Sequence, residues 1–155
     1  MSRLKAGLLV LLVLMVAIQL IQPTPNVDKG EVVPVHFTNM YNVPNHVQAI
    51  LETSCYDCHS NNTRYPWYAK IQPGSWWMAS HIKKGKEELN FSDFEKYSKR
   101  RQLSKLKAIA GSVKDETMPL PSYTWMHGKA KLSREDKDVL VNWALKTRDS
   151  LSLNN

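Results

Sequence analysis

The chain of 155 residues contains two cysteines, which stand in the run Cys55-Tyr56-Asp57-Cys58-His59. No other feature limits the possible folds so sharply, because each use of such a pair demands different surroundings. A redox dithiol of the thioredoxin kind opens a helix after a strand, inside alternating strands and helices. A structural zinc ion takes four ligands, which calls for a second Cys or His pair at usable spacing. Covalent attachment of haem has the two thiols add across its vinyl groups while the following histidine holds the iron. Two intervening residues then let one turn of backbone set both sulfurs along one edge of the porphyrin.

The rest of the chain favours the third use. No convincing strand alternation is visible, and neither a second C-x-x-C nor an H-x-x-x-H pair follows. Residues 6–21, AGLLVLLVLMVAIQLI, are free of charge, preceded by Arg3 and Lys5 and closed by Pro23 and Pro25. That is an export or anchoring segment of roughly 24 Å as a helix, against roughly 30 Å of hydrocarbon core. Val16 to Leu20 offers one small residue where a cleavage site wants two, which favours a retained anchor over a cleaved signal. Basic residues ahead of the segment keep the N-terminus cytoplasmic, so the domain is expected on the extracytoplasmic, periplasmic side.

The net charge is +7, of which the first thirty residues carry +2, leaving a modest +5 for the remainder. Basic runs such as Lys99-Arg100-Arg101 interleave with Glu87, Glu88, Asp93 and Glu95, the pattern of a solvated face. Nucleic acid is not an expected partner of such a surface outside the cytoplasm.

Three regions follow from these patterns: a membrane anchor or signal at 1–24, a proline-bearing linker at 25–42, and a helical domain at 43–150. Val47, Ile50 and Leu51 predict a helix running into the cysteine pair, with Pro44 at its start. Ser75 and Ser92 are candidate caps of the next helices, and residues 103–113 carry an apolar stripe of Leu103, Leu106, Ile109 and Ala110. Residues 113–132 read as a long connection. Ser133 and Asp136 form a variant capping box for a last helix bearing Val139, Leu140, Trp143 and Ala144. The fold class expected is mostly α.

A haem iron with one imidazole ligand leaves a sixth position, for which several side chains compete. Met118 lies in Met118-Pro119-Leu120-Pro121, a loop that two prolines stiffen, and is the preferred candidate. His127 is the main competitor, followed by Met126, His81 and Met78; His81 also suits a hydrogen-bonded helix position. His36 and His46 read as linker and surface residues. Trp67, with Tyr65, Tyr68, Trp76 and Trp77, is of the kind that covers a porphyrin, although five tryptophans equally furnish the core of a small domain. Arg64 and Lys70 are candidates for neutralising propionates.

The run CYDCHSNNTRYPWYAKIQPGSWWMASHIKKGKEELNFSDF, then ETMPLPSY and a closing helix with Trp143, resembles the bacterial haem-binding domain family over roughly residues 30–148. That family is a cytochrome c-like group of membrane-anchored proteins. The resemblance implies haem c attached through Cys55 and Cys58, His59 as the proximal iron ligand, and Met118 on the distal side. It implies a small helical domain wrapped around that haem behind one N-terminal transmembrane helix. The function expected is single-electron transfer with unnamed redox partner proteins, and no catalysis is required of the protein. Two alternatives stand beside it: a small-ligand or peroxide enzyme or sensor with an open distal site, and a thiol oxidoreductase using the cysteine pair.

Overall fold

The computed structural model describes residues 2–28 and 35–153, and among them it contains eight α-helices and no strand. The expected mostly helical class holds. Helix α1, Arg3–Ala17, continues through one 3-10 turn to Leu20, and none of this 18-residue stretch is buried against the rest of the chain. At about 1.5 Å per residue it reaches roughly 27 Å, so it is long and apolar enough to cross a membrane.

The end of α1 is docked on the domain by amide side chains. Gln72 is buried at 1% exposure. Its side-chain amide donates to the Ile21 carbonyl (2.8 Å) and the Gln22 Oε1 (3.3 Å), while its Oε1 accepts from the Trp76 backbone N–H (3.2 Å). The Gln72 backbone N–H donates to Gln19 Oε1 (2.9 Å), and the Trp76 indole N–H to the Ile21 carbonyl (2.9 Å). A buried amide with every polar atom satisfied holds one arrangement, because breaking it strands donors away from water.

Within residues 25–42, those described are tied to the rest of the chain. The Asn26 side chain donates to the Ser60 carbonyl and Thr63 Oγ1 (both 2.9 Å), and Lys86 Nζ donates back to Asn26 Oδ1 (2.6 Å). Val27 makes an isolated antiparallel bridge with Asn62. Helix α2, Val35–Met40, then carries Phe37 into the centre of the core. The Phe37 ring lies 4.8 Å from Phe91, 5.0 Å from Phe94 and 6.0 Å from Trp143, each near edge-to-face, the arrangement that aromatic quadrupoles favour. Tyr41 closes the cluster against Phe37 and Phe94.

Helix α3, Asn45–Ser54, starts at Pro44 and buries Val47, Ile50 and Leu51, one stripe at helical spacing. It runs directly into α4, Tyr56–His59, the single turn that holds the cysteine pair. Helix α5, Gly74–Glu88, begins after Pro73, so Ser75 is not its cap; Ser75 is buried and its hydroxyl reaches Gln22 Oε1. Ser92 is likewise no cap: the Asn90 side chain accepts from the Ser92 N–H and starts a 3-10 segment, Phe91–Lys96.

Ser98 caps α6, Lys99–Lys114, whose buried stripe is Leu106, Ile109, Ala110 and Val113. The connection read at 113–132 contains a short helix α7, Pro121–Met126, and a 3-10 turn at Gly128–Ala130. Helix α8, Arg134–Leu153, packs along α6 and buries Leu140, Trp143 and Ala144. Its capping box forms as read: the Asp136 N–H donates to Ser133 Oγ (3.0 Å) and the Ser133 N–H to Asp136 Oδ2 (3.1 Å).

If Phe37 belongs to the core, Phe37→Ala should weaken folding by about 3–5 kcal/mol, the usual range for emptying a buried aromatic site. Chemical denaturation of the detergent-solubilised chain measures this, and an unchanged midpoint would return residues 35–42 to a linker role.

Candidate functional site

Cys55 ends α3 and starts α4, with its N–H on the Leu51 carbonyl (2.9 Å) and its own carbonyl accepting from His59 (3.0 Å) and Cys58 (3.2 Å). One tight turn therefore brings Cys55, Cys58 and His59, at relative positions 0, 3 and 4, to one side. The intervening residues point elsewhere. Tyr56 is buried against Phe91 (5.2 Å between rings) and donates to Gln48 Oε1 (3.1 Å). Asp57 accepts from Arg64 Nε (3.0 Å) and the Tyr123 hydroxyl (2.8 Å). Both contacts lock the orientation of the turn.

On the cysteine side lies a cavity of about 360 Å³ with a mostly apolar lining, within the size range of small-molecule and cofactor sites. Cys55, Cys58 and His59 line one part of it, and Met118, Pro119 and Leu120 another. Its polar rim includes His81, Lys84, Glu88 and Lys105.

His59 Nδ1 lies 2.9 Å from the Gly85 carbonyl and 3.0 Å from the Leu89 carbonyl. Two acceptors at Nδ1 place the ring's proton there and leave Nε2 as the free lone pair. Burial also pulls the His59 pKa below its ordinary value, outweighing those two bonds, so the imidazole is held neutral. A neutral imidazole oriented through Nδ1 by backbone carbonyls is the form that binds a metal through Nε2.

The thiols are in the opposite condition from a reactive dithiol. Burial pushes Cys55 up to about 12 and Cys58 up to about 11, with the neighbouring Cys58 and Asp57 charges adding to the respective shifts. A redox-active pair relies on a lowered thiol pKa. Among the described residues no three His, Cys, Asp or Glu side chains come together to hold a metal ion by themselves.

Gly85 makes the site's closest helix contact. A Cβ there would lie 2.8 Å from the Cys58 carbonyl oxygen, nearer than such atoms approach, so α5 sits against the cysteine turn only because residue 85 has no side chain. The same glycine supplies a carbonyl to His59.

The Met118 loop is fastened on its N-terminal side. The Thr117 and Met118 N–H groups donate to the Ser112 carbonyl (3.0 and 3.2 Å), and Glu116, at φ 57°, pairs with Lys137 of α8 (2.5 Å). Met118 is 37% exposed at the mouth of the cavity. His127 stands elsewhere: its Nε2 is 3.0 Å from the Tyr68 hydroxyl and its Nδ1 3.2 Å from the Tyr123 carbonyl. It lines a smaller adjoining cavity of about 70 Å³, together with Met78, Met126 and Arg64. His81 lines both cavities, with Nδ1 2.9 Å from the Trp77 carbonyl.

Trp67, Arg64 and Lys70 are not brought to the main cavity. Trp67 is 78% exposed and packs only on Tyr68 among aromatic rings, so its burial against a ligand does not follow from this fold. Arg64 is engaged by Asp57 and the Glu52 carbonyl. Lys70 is exposed, its carbonyl accepting from Gln22. His46 is a surface residue paired with Asp136 (3.2 Å), and the side chain of His36 lies outside the described residues. Sequence reasoning missed Gly85, Tyr123, Lys84 and Lys105, which no local motif marks.

Fold and site together define a class: a small helical domain with an apolar cavity that presents an oriented imidazole, two thiols and a thioether to one ligand. A family model described as a haem-binding domain matches residues 13–146, and the chain belongs to that haem-binding domain family. Comparison with curated proteins and with solved structures returned no match. The residues present fit haem, because the His59 tautomer frees Nε2 and the cavity is apolar with cationic side chains at its rim.

Gly85→Ala should force α5 off the cysteine turn, at a cost of about 1–3 kcal/mol for overpacking, and lower the haem bound per chain. A pyridine haemochrome assay against total protein measures it, with Gly111→Ala, where a Cβ meets nothing within 4 Å, as the control expected to keep full haem content.

Proposed function

We propose that the protein is a membrane-anchored haem c protein that passes single electrons on the extracytoplasmic side. The observation that carries this reading is the pair of backbone acceptors on His59 Nδ1, which leaves a neutral Nε2 in the same cavity as Met118. When bound, haem supplies a reversible one-electron couple.

Everything else is the work of the chain. Cys55 and Cys58 would hold the group covalently, each thiol being suited to add across a vinyl group, sulfur to one carbon and proton to the other, which needs no oxidant. His59 would hold the iron through Nε2 and Met118 through its sulfur, a pair that would favour the reduced state and raise the potential. The tethered loop limits the freedom of Met118, so little ordering would be lost on ligation. Lys84 at the rim is placed to neutralise a carboxylate, a role for which Lys105 and Arg64 are less free because Glu88 (3.6 Å) and Asp57 already engage them. Helix α1, preceded by Arg3 and Lys5, acts as the anchor and sets the domain outside the cytoplasm.

A second reading, a small-ligand or peroxide site, draws on the half-exposed His81 ring at the cavity and the exposure of Met118. The thiol oxidoreductase reading is disfavoured by the raised thiol pKa values and by the lack of a strand before the pair among the described residues.

Oxidised and reduced absorption spectra of the purified full chain separate these readings. The electron-transfer reading expects red colour that survives acid-acetone extraction, a low-spin ferrous spectrum and no rapid carbon monoxide binding. Met118→Ala should open the sixth position and admit carbon monoxide, while His127→Ala should leave the spectrum unaltered. The reverse pattern moves the ligand to His127, and fast carbon monoxide binding to the unaltered protein favours the second reading.

A further inference from the structure

The exit of α1 and the segment from Trp67 to Trp76 form one surface, because Gln72 and Trp76 are bonded to Gln19, Ile21 and Gln22. On that surface Leu20 is 87% exposed, Ile21 63%, Trp67 78%, Ile71 49% and Trp76 37%. Such a group of apolar side chains left in water is costly unless something covers it. Its neighbours point to what does. No acidic residue occurs between Asp57 and Glu87, while Lys70 lies in the middle of the segment. Indoles with one polar N–H, a branched aliphatic residue and a lysine are the side chains that settle at a bilayer's headgroup layer.

We propose that this surface is seated in the phospholipid headgroup layer of the membrane crossed by α1, so that the domain lies on the bilayer rather than hanging from a flexible tether. The inference rests on the reading of α1 as an anchor. A helix leaving the hydrocarbon at Leu20 delivers Ile21 at the interface, and the indole bond to the Ile21 carbonyl then fixes Trp76 at the same depth. Ile71 and Trp67 follow within the same docked segment, whose Gln72 cannot be withdrawn without stranding buried polar atoms. Insertion of apolar area stabilises the contact, and Lys70 adds attraction to phosphate.

The test uses the haem-loaded full chain in phosphatidylcholine vesicles doped with a phospholipid that bears a photoactivatable diazirine near its headgroup, followed by peptide mapping. Adducts are expected on peptides spanning residues 67–76 as well as on α1, with none on the buried face of α8. Ile71→Glu should reduce adducts on the 67–76 peptide several-fold and leave the haem spectrum as it was. Adducts on α1 alone overturn the seating while leaving the anchor intact, and would make a protein partner the occupant of this surface. Absence of adducts from α1 too removes the anchor and the seating together.

Discussion

The bond from His59 Nδ1 to the carbonyls at the end of α5 is the constraint on which the site depends. It decides which imidazole nitrogen is free, and it requires the C-terminal end of α5 to lie against the cysteine turn. Gly85 permits that approach and supplies one of the two carbonyls, so a single small residue joins helix packing to ligand chemistry. The Gly85 carbonyl already accepts the Leu89 N–H (2.8 Å), so the imidazole is a second donor there, while at the Leu89 carbonyl, beyond the last helical turn, it stands where water or a cap otherwise would.

Around this bond the chain divides its work. The aromatic core, with α6 packed on α8, lies beneath the cysteine turn and receives Tyr56 from it, while Asp57 ties the turn outward to Arg64 and Tyr123. The residues flanking the two cysteines thus fix the turn from both sides, which leaves the cysteine side itself open to the cavity. The loop that carries Met118 is suspended between α6 and α8 through Ser112 and Lys137. The cavity walls are therefore positioned by contacts between the helices and the loop.

What could be read from the sequence was local. The charge-free N-terminal run, the stripe of α3 and the box at Ser133 and Asp136 are each patterns within a few residues, and each forms the helical feature read from it. What could not be read depends on residues far apart. Phe37 and Tyr41 lie among prolines and polar residues with too short a period to announce a helix, and only Phe91, Phe94 and Trp143 explain their burial. The Ser75 and Ser92 hydroxyls fit a cap's composition, but Pro73 and Asn90 occupy the geometry first. Arg64 looked available for an anion because its partner Asp57 sits inside the motif, and Trp67 looked like a cover because nothing in the sequence reveals which way a 3-10 turn faces.

The tie between Asn26 and the Ser60–Thr63 stretch bears on where this polypeptide tolerates shortening. A water-soluble version trimmed at residue 42 discards a ring from the middle of the aromatic cluster, and one trimmed at residue 30 still severs the Lys86 partner. The latest boundary that keeps the tethers to the domain lies ahead of Gln19, at the end of the apolar helix. The apolar helix and the domain that buries the aromatic core share a border with no clean seam.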